Sequence, residues 1–139
     1  MISLTTEYAL RAMVYLAREP GRSATTGRIA AGTQVPAKYL RRVMRTLAMS
    51  GLVEAKRGPD GGHTLARPPA EVTVLDVIKA LGHRRCVCPC LLCRDGHPCA
   101  LHRRLDEANA LTDTMFRRTT LDQLIASEND GDRRKVAGV

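Results

Sequence analysis

Aromatic residues are nearly missing from this 139-residue chain, which has three Tyr, one Phe and no Trp. A core so short of rings must be built from Leu, Val, Ile, Met and Ala, and that suits packed helices better than a β-sandwich. No apolar run is long enough to span a bilayer, so a soluble protein with no membrane partner is expected. There is no Gly-rich cofactor fingerprint, no nucleophile–base pair and no substrate-pocket signature, which argues against an enzyme. Cysteine is absent from most of the chain: all five lie between Cys86 and Cys99. A disulfide framework would spread an even number of cysteines to staple distant loops, and this odd, local group does not. Nothing resembles an export signal, so the expectation is reduced thiols in the cytoplasm.

What remains in that cysteine-rich stretch is a loop, because Pro89, Gly96 and Pro98 break any helix or strand there. Thiolates at short, uneven spacings can wrap an iron–sulfur cluster or a zinc ion. The bland alternative is a set of small buried side chains. Arg84, Arg85 and Arg94 lie among them and make burial awkward. A metal site is the better reading.

Charge is divided unevenly along the chain. Residues 1–70 hold eleven Lys/Arg against four Asp/Glu, a net of +7, while residues 71–139 hold eleven against ten, a net of +1. A basic half joined to a nearly neutral one suggests a nucleic-acid-binding part and a separate sensing or assembly part.

Helical spacing of Leu10, Met13, Val14 and Ala17 predicts a first helix over 4–18, stopped by Pro20-Gly21. The run Ser23 to Thr26 offers caps for a short second helix over 27–32. Pro36 suits a first helical position, and a third helix is predicted over 36–50 with Gly51 as its stop. Leu40, Val43, Met44 and Leu47 form one apolar stripe of that helix. Lys38, Arg41, Arg42 and Arg45 form a cationic stripe, with no acidic residue to relieve their repulsion. A solvated face is the bland reading, and a phosphate-rich partner is the sharper one. Residues 52–57 and 63–66 read as two short strands around a Gly-rich tip, with Lys56, Arg57 and His63 at its base. Gly61 and Gly62 would let backbone amides approach a phosphate.

A helix over 72–81 with Thr73 as a cap follows. Beyond the cysteines, Leu101, Leu105, Ala108, Leu111 and Met115 make a nearly heptad seam over 100–118 that needs a partner, most simply a second copy of the chain. The fold class is mainly α with a small β wing: a winged helix-turn-helix plus a long dimerisation helix. The expected divisions are a DNA-binding domain over 1–82, a cysteine-rich cluster-binding loop over 83–99, a dimerisation helix and short terminal helix over 100–127, and a disordered tail over 128–139.

These pieces together resemble the Rrf2 family of bacterial winged-helix regulators. The likeness is carried by the run Thr6 to Ala12, by Tyr39-Leu40 with Leu47, by Gly51-Leu52-Val53, by Arg57-Gly58-Pro59 with Gly61-Gly62, and by the run Val74 to Ile78. It implies a homodimer on a roughly palindromic double-stranded DNA operator, with DNA affinity controlled by a [2Fe–2S] or [4Fe–4S] cluster in each subunit. The resemblance implies Cys88, Cys93 and Cys99 as ligands, in a spacing like that of the NsrR-like members. Cys99 and His102 look like the Cys-x2-His end of the IscR-like site. His102 stands ahead of Glu7 and Cys90 as the fourth ligand, since it lies one turn after Cys99 on the same helix face. Cys86 has no assigned role. Nitric oxide, redox state or iron–sulfur status would be the signal, with a structural zinc or no cluster as the alternative. Arg41 and Arg42 are candidates for guanine edges, and Arg45, Lys56 and Arg57 for phosphates.

Overall fold

Ser3 starts the first helix by accepting a hydrogen bond from the Thr6 N–H at 3.2 Å, and α1 then runs Leu4–Arg18. The computed structural model describes residues 2–82, 92–93 and 97–137, with side chains as far as residue 131. Cys86, Cys88 and Cys90 lie outside the described residues, as does most of the predicted cluster-binding loop.

Thr25 caps α2, Thr26–Thr33, through its side chain and the Arg28 N–H. Gln34 ends that helix in the left-handed region at φ 56°. Residue Gly32 has no room for a side chain, because a Cβ there would come within 2.2 Å of the Tyr15 ring. The two helices therefore cross closely.

The third helix, α3, runs Ala37–Met49. Pro36 is its N-cap rather than its first helical residue; its extended backbone turns the Pro36 carbonyl to accept from the N–H groups of Tyr39 and Leu40. Gly51 at φ 77° closes the other end, where the Leu52 N–H donates to Leu47 and the Gly51 N–H to Ala48. That is the Schellman pattern, and buried Leu52 supplies its apolar contact.

The wing is an antiparallel pair, β1 (Val53–Lys56) and β2 (Gly62–Leu65), with Val53 opposite Leu65 and Ala55 opposite His63. Ala24 and His63 exchange backbone hydrogen bonds at 3.0 and 2.8 Å, which ties the wing to the start of α2. A short 3-10 turn, Pro69–Glu71, leads into α4, Val74–Ala80. This fourth helix begins two residues later than the periodicity suggests. Thr73 and Asp76 form a reciprocal capping box, which fixes Thr73 outside the helix and contributes about 1 kcal/mol.

The long helix α5 runs Ala100–Arg118, as its seam requires, and α6 runs Leu121–Ala137. The last helix thus continues past residue 127, where the sequence reading ended it. One anchor beyond that point is an ion pair between Arg18 and Glu128 at 2.8 Å, which joins α6 to α1. The junction of α5 and α6 is also stitched to α4. Val74 donates to the Thr119 carbonyl, and Leu121 to the Val72 carbonyl. Leu121 is fully buried there.

The core gathers Met13, Ile29, Leu40, Met44, Leu47 and Val72, each completely enclosed. Such side chains contribute about 2 kcal/mol apiece against exposure. Among the described residues six α-helices and a two-stranded sheet make the protein mainly helical, a winged helix-turn-helix extended by two C-terminal helices.

Candidate nucleic-acid interface and metal centre

On α3 the apolar stripe Leu40/Val43/Met44/Leu47 is buried. The same rotation leaves Lys38, Arg41, Arg42 and Arg45 exposed on the opposite face. Lys56 and Arg57, at the end of β1 and the start of the wing tip, are exposed as well. Among the described residues none of these six cations makes an ion pair.

The glycines of the wing have a structural reason of their own. A Cβ at Gly61 would meet the Lys56 carbonyl oxygen at 2.6 Å, and one at Gly62 would meet that of Ala24 at 2.6 Å. The tight turn and its docking onto α2 already demand glycine at both positions.

The ring of His63 does not project with the flanking cations. Pairing with Ala24 turns the residue toward α2, where its Nε2 lies 3.2 Å from the Thr26 hydroxyl. Its Nδ1 is buried with no hydrogen-bond partner among the described residues. Burial pushes the His63 pKa below the usual histidine value, so the neutral ring is favoured.

Arg28 is a cation that no motif of the sequence singles out. It borders a cleft of about 310 Å³ together with Thr25 and the wing-tip residues Asp60 and Gly61. A cation in the first turn of a helix opposes the helix dipole, and that misplacement was the available signal.

The second centre lies at the head of α5. Cys99 is the N-cap of that helix, and its carbonyl accepts from the Arg103 N–H. His102, three residues on, turns its Nδ1 to 3.3 Å from the Cys99 Sγ and 3.5 Å from the Cys93 Sγ. The Cys99 N–H points at the Cys93 Sγ over 3.3 Å. These three donor atoms lie within 4.8 Å of one another, and all three residues are half-buried. Two thiols and an imidazole at one point can hold zinc or an iron–sulfur cluster. Glu7, the rival non-thiolate candidate, is exposed and ion-paired with Arg11 of its own helix at 2.5 Å.

Along α5 the seam residues Leu101, Leu105, Leu111 and Met115 all face solvent in the single chain, Leu111 at 74% exposure. The less exposed residues form another row of the helix, His102, Asn109, Asp113 and Phe116.

The Rrf2 family model, described as that of an iron-dependent transcriptional regulator, matches residues 2–127. An HTH-type transcriptional regulator of Aquifex aeolicus is 33% identical over 134 residues, covering 92% of this chain and 93% of the relative. Among solved structures, CymR, the global cysteine regulator of B. subtilis, is similar with a TM-score of 0.76 and 26% identity, over 91% of this chain and 97% of that one. IscR of T. potens shares the fold with a TM-score of 0.78 at 23% identity, over 94% and 90%.

Proposed function

Given that the chain belongs to the Rrf2 family, and so is a DNA-binding transcriptional regulator rather than an enzyme, we propose that it acts as a homodimer on a palindromic operator, with an affinity set by an iron–sulfur cluster at the head of α5. The observation that carries this reading is the convergence of the Cys93 Sγ, the Cys99 Sγ and the His102 Nδ1. Cys88, the preceding thiol in the family-like spacing, would complete a three-cysteine set with them. When bound, the cluster supplies a centre that nitric oxide, oxygen or an electron can alter.

The chain's own part is mechanical and electrostatic. Ligands on the first turn of α5 attach the metal centre to the helix that would join the two subunits. The unpartnered seam Leu101/Leu105/Ala108/Leu111/Met115 supports pairing with a second copy. The cations Lys38, Arg41, Arg42 and Arg45 would lie in the major groove, with Lys56, Arg57 and the Gly61-Gly62 tip beside the backbone. A nonthiolate ligand such as His102 gives the centre one exchangeable bond. A cytoplasmic setting accords with thiolate ligands, and among the described residues no helix is long and apolar enough to cross a membrane.

The same donors would suit zinc, which makes a structural site the second reading. Anaerobic purification followed by absorption spectroscopy and iron, sulfide and zinc analysis separates the two. A brown protein with matched iron and sulfide is expected, and its operator affinity should change on exposure to nitric oxide or oxygen. A colourless zinc protein would overturn the cluster.

A further inference from the structure

We propose that Tyr39 reads a thymine methyl group in the operator, next to the base gripped by Arg42, and that Tyr8 is the residue that positions it. This rests on the DNA-binding reading and deepens it.

Tyr39 is the third residue of α3, in the turn that a recognition helix presents to base edges. It is 57% exposed, in a chain that has only three Tyr and one Phe to spend. Its neighbour Lys38 belongs to the cationic stripe, and Arg42 follows it by three residues on an adjoining face. Tyr39 and Arg42 border one cleft of about 410 Å³, together with Tyr8 and Thr46, and among the described residues no acidic side chain lines it.

The ring is held although it is exposed. Its centroid lies 6.4 Å from that of Tyr8, with the planes tilted by 40°. The Arg11 guanidinium sits 6.0 Å from the centre of the Tyr8 ring, and Glu7 pins Arg11 through its ion pair. Tyr8 thus packs beside the aromatic on α3 from α1, and a side chain that is partly held loses less entropy on binding.

The chemistry selects the target. An exposed ring beside a row of cations offers apolar contact where the cations offer charge. The major groove presents a single apolar group, the C5 methyl of thymine.

The experiment uses the full chain, purified anaerobically. An operator is first selected from a random duplex library, and each thymine is then replaced by uracil, which removes the methyl alone. Wild type should lose about fourfold in affinity at one thymine per half-site, the worth of one buried methyl. Tyr39→Ala should bind thymine and uracil operators equally, while Tyr39→Phe should keep the discrimination. Tyr8→Ala should reduce the discrimination with sequence-independent binding unchanged. Retention of every uracil effect by Tyr39→Ala, or a loss uniform across sequences as for a phosphate contact, overturns the assignment. Selection of no sequence by wild type would instead overturn the DNA-binding reading beneath it.

Discussion

The imidazole of His102 stands one helical turn from Cys99, with its Nδ1 3.3 Å from the Cys99 Sγ. Cys99 is fixed as the N-cap, so the pair is aligned by the start of α5 itself. On that geometry we propose His102 ahead of Glu7 as the fourth ligand.

The first prediction follows from this ranking. Under anaerobic conditions Cys93→Ala and Cys99→Ala should each lose most of the bound iron. His102→Ala should retain part of it with a shifted absorption spectrum. An unchanged spectrum for His102→Ala, with loss in Glu7→Ala or Cys90→Ala, would move the fourth ligand elsewhere.

A second test concerns the exposed cations. Arg41→Ala and Arg42→Ala should each relax preference at one operator position, at a cost of about 1–3 kcal/mol. Lys56→Ala should weaken all sequences alike and lower the slope of log affinity against log salt by about one. Electrophoretic mobility shifts on operator and scrambled duplexes distinguish the two patterns.

Association of subunits is tested at Leu105, which is 50% exposed in the single chain. Leu105→Glu should leave the fold intact by circular dichroism. In a paired seam it would bury an uncompensated charge at a cost of about 3–5 kcal/mol, so sedimentation should show monomers. An unchanged dimer would place the pairing surface off the α5 seam.

The buried ring of His63 predicts a pH effect on stability. Its folded pKa is lowered by burial, so below the ordinary value of about 6.5 the unfolded chain takes up a proton that the folded chain resists. Stability should therefore be insensitive to this group above pH about 7 and fall as the pH drops through 6.5 toward the folded value. His63→Gln should flatten that part of the melting-temperature profile. A profile with the same slope in both proteins would show that the ring titrates freely.

Much of this architecture was legible because it is written locally. The two stripes of α3 and the seam of α5 recur at helical spacing, and Thr73 and Gly51 mark boundaries by their own chemistry. Pro36 was misplaced by one residue because proline is compatible with both the N-cap and the first helical position. The extension of α6 was hidden by Asn129 and Gly131, poor helix formers whose cost is offset partly by a distant ion pair, Arg18–Glu128. His63 was read as a basic flank of the wing because nothing in the sequence announces its pairing with Ala24, thirty-nine residues earlier. At the candidate metal centre, spacing alone suggests that Cys99 and His102 share a face. The approach of Cys93 is a tertiary contact, which periodicity does not encode.

The backbone bonds from Val74 to Thr119 and from Leu121 to Val72 give α5 a stiff root. They hold the C-terminal end of α5 beside the start of α4. In a dimer joined along the seam, the two recognition helices would then stand like the jaws of a locked caliper. Their separation would match half-sites one turn of DNA apart, about 34 Å, or a multiple of it. On that view the gap between operator halves would be set by a pair of backbone hydrogen bonds at the foot of a helix.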